Sequence, residues 1–272
     1  MLFITELRHR RRQGGAVKAR DRHGRILAAL AREGRVSVAE LARDHDVTVE
    51  TIRRDLAALD RAGALRKIHG GALPAPVLAA PETGVLQRER DHAEAKARIA
   101  RAALAALDPH EGAALLIDSG TTTGAFARLL PEHLDLTVLT NSVLIAAALA
   151  ARPGCRVHII GGRVRGLTQA AVGPEALARL ASLRADIAVM GSNGLTAQHG
   201  LSTPDPDEAA VKRAMVASAR RVVALVDASK VGQEHLVSFA GTDDVDLLVT
   251  DATITGHLAA RLTDSGTEVI PA

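Results

Sequence analysis

Residues 36–73 read VSVAELARDHDVTVETIRRDLAALDRAGALRKIHGGAL, and this stretch decides the fold of the first part of the chain. Ser37 and Glu40 form a capping-box pattern, which predicts the start of a short helix. Thr48 is a suitable N-cap for a second helix. That helix has an apolar stripe at helical spacing, formed by Val49, Ile52, Leu56 and Leu59. The stretch therefore predicts two helices joined by a short turn.

A basic hairpin is predicted after the second helix. Gly63 is a plausible end for the helix, and residues 65–71, LRKIHGG, place basic side chains between short strands with paired glycines. This arrangement is typical of a winged helix-turn-helix that binds DNA. The alternative is a small three-helix domain whose charged face meets only solvent. The candidate DNA-binding residues are Ser37, Thr48, Glu50, Thr51, Arg53, Arg54, Lys67 and His69.

The polar residues of the second helix are predicted to have two roles on DNA, base reading and phosphate binding. A recognition helix reads base edges near its N-terminus, so Glu50, Thr51 and Arg54 are the candidates for reading sequence. Arg53 lies at the flank of that face and is expected to bind phosphate, which fixes position without reading bases.

The distribution of charge favours nucleic acid as the partner of the first part of the chain. Residues 1–73 hold 16 Lys and Arg against 9 Asp and Glu, a net charge of +7. The remaining residues hold 18 against 22, a net charge of −4. The overall charge of +3 is thus the sum of a basic first part and a mildly acidic second part of the chain. The protein has no Trp or Tyr and only three Phe. Few aromatic side chains are therefore available to stack on the bases of single-stranded nucleic acid.

Length and composition predict two domains in a cytoplasmic protein. A chain of 272 residues suffices for two cores. It has no apolar run of 18 residues, and its single cysteine, Cys155, fits a reducing compartment and is expected to be a buried, inert thiol. The predicted divisions are a basic, disordered extension at 1–21, a winged helix-turn-helix at 22–73, a Pro-rich linker at 74–86 and an effector-binding domain at 87–272.

The second domain is predicted to be α/β, with a doubly wound parallel sheet. A helix is expected from residue 87 to about 107. Short continuous apolar runs follow, separated by helical patterns, and such runs indicate strands buried on both faces. They lie at residues 113–117, 136–140, 156–160, 187–190, 222–226 and 246–250.

Polar loops follow several of these strands, where ligands of open α/β sheets bind. Hydroxyls, loop amides and cations at one rim suit a phosphorylated, hydroxyl-rich ligand. Taken singly, each loop can also be a capped turn or a solvated surface charge, and Arg165 remains open in the same way. The candidate effector residues from these loops are Asp118, Ser119, Gly120, Thr121, Thr122, Thr123, Asn141, Ser142, Arg163, Asp227 and Lys230.

The chain resembles the DeoR family of bacterial transcriptional regulators over about residues 22–272. Besides the helix-turn-helix and its hairpin, the resemblance rests on ERDHAEAKARIA at 89–100, IDSGTTT at 117–123, TNS at 140–142, GGRVR at 161–165, GLSTPDPDEAAVKRAM at 200–215 and DASKVG at 227–232. It implies a role for Lys96, Asp227 and Lys230 in the inducer response, release of DNA on ligand binding, and dimers or tetramers. The pattern looks most like that of regulators beside fructose-uptake genes, which points to fructose 1-phosphate as effector.

The sequence leaves two questions open: whether the second domain is an enzyme, and what Lys212 and Arg213 contact. The second domain also resembles the sugar-phosphate isomerase fold, and an isomerase needs a carboxylate base, for which Asp118, Asp205 and Glu208 are candidates by type. An isomerase has no use for a winged head, so the sequence favours a regulator that is not an enzyme and holds neither metal nor cofactor. Lys212 and Arg213 contact either ligand or the nearby Asp207 and Glu208, and pairing with these carboxylates is the prediction.

Overall fold

A computed structural model describes residues 21–30, 32–61, 64–68, 70–74 and 83–272. The chain divides into two compact units at residues 76 and 77. Residues 1–20 of the predicted extension and 75–82 of the predicted linker lie outside the described residues, as do Gly63 and His69.

The first unit is a winged helix-turn-helix. Its elements are α1 (21–30), β1 (Val36–Ser37), α2 (Val38–Asp44), α3 (Val49–Arg61), β2 (Leu65–Ile68) and β3 (Gly71–Pro74). The strands form an antiparallel sheet in the order β1-β3-β2. The hairpin of β2 and β3 is the predicted wing.

The apolar stripe of α3 forms the centre of this unit's core. Ile52 and Leu56 are fully buried and Leu59 nearly so, and they pack with Ile26 of α1. Burial does not extend to Val49, the first residue of the predicted apolar stripe. Val49 is the first residue of α3 and is 40% exposed, so burial begins one turn later.

An ionic contact ties α1 to α3. Arg22 Nε donates to the carboxylate of Asp55 at 2.5 Å, and His23 Nε2 lies 3.0 Å from the same group. Burial alone would raise the pKa of Asp55, but the hydrogen bonds and charges of Arg22 and His23 lower it below its ordinary value. The pair fixes α1 against the recognition helix.

The second unit is built on a seven-stranded sheet whose order is β15-β14-β12-β9-β4-β5-β6, with all pairs parallel. Its strands are β4 (Ala114–Ile117), β5 (Leu136–Thr140), β6 (Cys155–Ile159), β9 (Ala185–Gly191), β12 (Ala219–Val226), β14 (Leu247–Thr250) and β15 (Glu268–Pro271). The six predicted strands are confirmed, and β15 was not predicted.

Helices cover both faces of this sheet, which confirms the doubly wound class. They are α4 (Val85–Arg90), α5 (Ala93–Leu107), α6 (Thr121–Ala127), α7 (Val143–Leu149), α8 (Pro174–Ala181), α9 (Pro206–Ala217) and α10 (Gly256–Asp264). One core contains Ile99 and Phe126 with Leu115 and Ile117 of β4, and the other contains Val211 and Met215 of α9. Short strands outside the main sheet are β7 (Arg163–Arg165), β8 (Ala170–Val172), β10 (Gly194–Thr196), β11 (Gly200–Thr203) and β13 (Val237–Ala240).

The helix predicted from residue 87 to 107 is two helices. α4 ends at Arg90 and α5 begins at Ala93, because His92 adopts a left-handed conformation with φ of 55°. The apolar pattern behind the prediction, Ile99, Ala103 and Leu107 at spacing four, lies entirely in α5, so it carried no information on the break. The start of α4 at Val85 also falls inside the predicted linker of residues 74–86.

The order of the strands locates the place where a ligand can bind. β4 and β9 are neighbours, and from them the chain winds outward in opposite directions along the sheet. In open α/β sheets the loops diverge at such a switch point and leave a crevice beyond the carboxyl ends of the strands. The loops after β4, β9 and β12 meet at this point.

The structure also bears on two further predictions, which concern the burial of Cys155 and membrane-spanning segments. Cys155 is half-buried rather than buried, and burial raises the pKa of its thiol, which disfavours the reactive thiolate. Among the described residues, no helix combines the length and apolar character that a membrane crossing requires.

Candidate functional site

The exposed face of α3 carries the side chains predicted to meet DNA. Glu50, Arg53 and Arg54 are exposed, and Thr51 is half-buried. Arg54 Nε donates to Glu50 Oε1 at 3.3 Å, one helical turn away. An exposed pair of this kind contributes little to stability. Arg54 therefore remains available to a base edge at little cost.

Ser37 and Thr48 cap the two helices. Thr48 Oγ1 accepts from the amide of Thr51 at 3.2 Å, as predicted for an N-cap. The hydroxyl of Ser37 accepts from the amide of Ala39 at 3.2 Å rather than from residue 40. Ser37 holds the N-terminus of α2 and Thr48 holds the N-terminus of α3, and contact with DNA stays a prediction for each.

Lys67 lies in β2 and its side chain is exposed. Its amide donates to Asp60 Oδ1 at 3.0 Å, which ties the hairpin to the last turn of α3. The wing and the recognition helix are thereby held as one surface. His69, the other residue predicted there, is outside the described part of the chain.

Arg54→Ala is expected to weaken specific DNA binding by about 1–3 kcal/mol and to relax preference at one base pair. Arg53→Ala, at the residue predicted to bind phosphate, is expected to weaken binding to all sequences alike. Fluorescence anisotropy with operator and scrambled duplexes at one salt concentration separates the two. Unchanged affinity of the Arg54 variant at physiological salt places that residue outside the interface.

The second site is an open cavity of ≈ 110 Å³ at the switch point of the sheet. It lies in the unit that begins at residue 77. Seven of the twelve predicted effector residues line it: Lys96, Ser119, Gly120, Thr121, Thr122, Asp227 and Lys230.

The loop after β4 forms one wall of the cavity. Its shape is fixed from beneath, because the amide of Ser119 donates to Asn141 Oδ1 at 3.0 Å and Thr123 Oγ1 donates to the carbonyl of Asp118 at 2.7 Å. Asn141 and Thr123 are buried. These two residues support the loop from behind, whereas Thr121 and Thr122 line the cavity.

A buried ion pair lies behind this loop. Lys212 Nζ donates to Asp118 Oδ2 and, at 3.1 Å, to the carbonyl of Gly191. The amide of Gly191 donates to the same carboxylate oxygen at 3.1 Å. Burial raises the pKa of Asp118, against the charge and the hydrogen bond of Lys212, which lower it. Lys212 lines the cavity and Asp118 does not.

Lys96 holds the break between α4 and α5. Its ammonium group donates to the carbonyl of Arg88 and, at 2.6 Å, to that of Asp91. Burial lowers the pKa of Lys96; Asp227 and Asp91 oppose this shift, whereas Lys230 and Arg88 add to it. Lys96 thus lies in a cluster of charged groups and also orders the backbone that carries two of them.

The loop after β12 brings the predicted Asp227 and Lys230 to the cavity. Asp227 Oδ1 accepts from the amide of Ser229 at 3.0 Å and caps a short 3-10 helix, Ala228–Lys230. The turn directs the chain so that a carboxylate and an ammonium group enter the site together.

The remaining predicted effector residues lie away from the cavity lining. Asp118, Thr123 and Asn141 support it from behind, and Ser142 caps α7 by accepting from the amide of Ile145 at 3.2 Å. Arg163 is exposed, and its guanidinium donates to Asp207 at 2.5 Å. The structure gives these residues supporting contacts, and a role in ligand binding stays a prediction.

The predicted pairing of Lys212 and Arg213 with Asp207 and Glu208 is wrong. Lys212 pairs with Asp118, and Arg213 donates to the carbonyl of Ser238 at 2.6 Å. Asp207 and Glu208 pair instead with Arg163 and Arg165 of β7. The reason is that α9 turns Lys212 toward the sheet, while its first turn meets the hairpin of β7 and β8.

Several lining residues were not predicted as ligand contacts: Arg88, Asp91, His92, Ser192, Asn193, Glu208 and Lys212. Ser192 and Asn193 follow β9, and the rule that ligands lie beyond strand ends would have found them. Arg88, Asp91 and His92 depend on the helix break, which periodicity does not show. Among the described residues, no group of His, Cys, Asp and Glu side chains is arranged to hold a metal ion.

Two family descriptions match the chain. The DeoR-like helix-turn-helix domain matches residues 22–75, and the DeoR C terminal sensor domain matches residues 91–252. Together they cover the recognition helix, the wing and every loop that lines the cavity beyond α4.

Full-length relatives agree with these matches. The HTH-type transcriptional regulator GlpR of Haloferax volcanii is 34% identical over 92% of this chain and 96% of its own length. The glycerol-3-phosphate regulon repressor of Escherichia coli K12 is 32% identical over 91% of this chain and 97% of its own. Among solved structures, ribose 5-phosphate isomerase A of Methanocaldococcus jannaschii has 17% identity, covers 52% of this chain and 55% of its own, and has a TM-score of 0.38.

A winged helix-turn-helix and an α/β sensor domain in one chain define a DNA-binding transcriptional regulator with a small-molecule site. The chain belongs to the DeoR family of such regulators. The family consists of DNA-binding sensor proteins, so the isomerase alternative raised by the fold does not apply.

Proposed function

We propose that this protein represses a carbohydrate-utilisation operon and leaves its operator when a phosphorylated sugar fills the cavity at the switch point. One observation carries the proposal. Four cations line this cavity, Arg88, Lys96, Lys212 and Lys230, together with the hydroxyl-bearing loop after β4. Cations and loop amides suit a phosphate group, and the carboxylates beside them suit sugar hydroxyls.

On DNA, α3 lies in the major groove and the wing contacts the adjacent backbone. An operator with inverted half-sites requires at least a dimer, and we propose a dimer or tetramer acting in the cytoplasm. A coupling free energy of about 1–3 kcal/mol between the two sites corresponds to a change of roughly 5- to 150-fold in operator affinity.

Fructose 1-phosphate is the first candidate for the effector. The motifs at 161–165 and 200–215 resemble those of regulators beside fructose-uptake genes. The name of the Escherichia coli relative points to another phosphorylated polyol, glycerol 3-phosphate. The shared chemistry is a phosphomonoester with free hydroxyls, and the two compounds are distinguished by direct comparison.

The testing experiment is a gel shift on the DNA upstream of the protein's own gene, titrated with sugar phosphates and their unphosphorylated counterparts. Release of DNA by one phosphorylated compound at micromolar to millimolar concentration supports both parts of the proposal. Binding of DNA that no compound releases rejects the effector class, and absence of specific binding rejects the repressor role.

Lys230→Ala is expected to abolish the ligand response and to leave operator binding intact, since the side chain contributes a charge to the cavity wall. The gel shift with the releasing compound measures both. Arg220→Ala is the matched control, because Arg220 is an exposed cation near the amino end of β12, the strand that precedes the Lys230 loop. A Lys230 variant that responds at the wild-type ligand concentration removes Lys230 from the site.

A further inference from the structure

The charged groups at the cavity fall into two clusters. Arg88, Lys96 and Lys230 lie with Asp91 and Asp227, close enough that all four neighbours act on the ionisation of Lys96. Lys212 lies with Asp118 and Glu208 in the same way. The first cluster has one excess cation, whereas in the second Asp118 pairs with Lys212 and Glu208 pairs with Arg165, so its charges balance. A ligand with one anionic end and one hydroxyl-bearing end therefore has a preferred direction in the cavity.

Two of the four lining cations are already engaged by the protein. Lys96 donates to the carbonyls of Arg88 and Asp91, and Lys212 donates to Asp118. These contacts hold the walls in place, so neither ammonium group is fully available to a ligand.

Arg88 differs from them. Its Nε is buried without a hydrogen-bond partner among the described residues, although the residue lines the cavity. The nearby acids are occupied elsewhere: Asp91 accepts from Gln87 Nε2 at 2.9 Å, and Glu89 pairs with Arg128 at 3.2 Å. A buried N–H without an acceptor is unfavourable, and an oxyanion relieves it.

A hydrogen bond fixes the backbone of Arg88. Its carbonyl accepts from Lys96 Nζ, so the base of the side chain is held at the end of α4, beside the break at Asp91 and His92. A guanidinium group presents two parallel N–H donors that match two oxygens of a phosphate. Among the described residues, the Arg88 side chain has no carboxylate partner, so its guanidinium group is suited to receive an anion.

We infer that Arg88 anchors the phosphate of the effector, with the hydroxyl-bearing end of the ligand directed toward Lys212 and Glu208. This inference rests on the proposed function and assigns the phosphate end of the site to α4, the first helix of the sensor unit. Phosphomonoesters are then recognised through Arg88, and the free sugars are not.

The test is isothermal titration of the full-length protein with fructose 1-phosphate, glycerol 3-phosphate, fructose and inorganic phosphate. Arg88→Ala keeps the carbonyl that Lys96 binds and suits a helix. It is expected to weaken binding of the phosphorylated ligand by about 10- to 100-fold and to leave ligand-free operator binding unchanged. Arg88→Lys is expected to recover only part of the loss, because the two-donor geometry is absent.

Arg90→Ala is the matched control, since Arg90 is an exposed cation on the same helix and does not line the cavity. Equal affinity of wild-type and Arg88→Ala protein for the phosphorylated ligand overturns the inference and leaves the proposed function standing. Wild-type protein that binds none of the phosphorylated probes, nor phosphate, overturns both, and this outcome is recognised without any variant.

Discussion

Lys212→Met is expected to lower the free energy of unfolding of the second unit, the sensor, by about 3–5 kcal/mol. This is the usual cost of removing one partner of a buried ion pair. Asp118 is fully buried, and its carboxylate depends on Lys212 Nζ and the amide of Gly191. Methionine has a similar length and removes the ammonium group together with its hydrogen bonds to Asp118 and to the carbonyl of Gly191. The loss therefore reports an uncompensated carboxylate rather than a void.

The loss should depend on pH. Without Lys212, burial raises the pKa of Asp118 further above its unfolded value, because the opposing positive charge is gone. A carboxyl group with a raised pKa in the folded state binds more protons there than in the unfolded chain. Stability then falls as pH rises from the unfolded pKa, about 3.9, through the raised one. The deficit of the variant relative to wild type is expected to shrink as pH is lowered from 7 toward 5.

Urea unfolding followed by far-UV circular dichroism measures this effect. Adding Asp118→Asn to Lys212→Met removes the orphaned charge and is expected to recover most of the loss. Arg213→Met is the control, since Arg213 is an exposed cation at the next position of α9. A deficit below about 1 kcal/mol, within the range of exposed pairs, would show that the Asp118–Lys212 contact is not structurally important.

The sequence predicted those parts of the fold that local patterns encode. β5 begins at Leu136 and ends at Thr140, the limits of its apolar run. The same patterns placed the polar loops after β4 and β12 at one rim, because parallel strands share the direction of their carboxyl ends. For this reason the sequence predicts that Ser119 to Thr122 and the pair Asp227 and Lys230 lie at one rim of the sheet.

Other parts depend on contacts between distant residues. Asp118 and Lys212 are 94 positions apart, and their pairing follows from the packing of α9 against β9, the strand beside β4. Local spacing favoured the nearby Asp207 and Glu208 instead. Arg88 became a lining residue only because His92 takes a left-handed conformation that breaks the helix. Neither event leaves a periodic signal in the sequence.

Gly71→Ala is expected to destabilise the DNA-binding unit by about 3 kcal/mol, the upper end of the usual cost of overpacking. Gly71 pairs with Ser37 across β1 and β3. A Cβ at this position would lie 2.1 Å from the carbonyl oxygen of Val36. That oxygen belongs to the backbone, so no rotation of a side chain relieves the clash. The short pairing of β1 with β3 must open.

Displacement of β3 carries the wing with it, since β3 pairs with β2 through four residues, among them Lys67. Operator affinity is then expected to fall by at least about tenfold through lost backbone contacts, a change of about 1.4 kcal/mol. Gly24→Ala is the matched control, because Gly24 lies in α1 with no neighbouring atom within 4 Å of the added methyl group, and alanine favours the helix. Ligand binding by the sensor should be equal in both variants. Wild-type operator affinity in Gly71→Ala would show that the wing does not depend on its junction with β1.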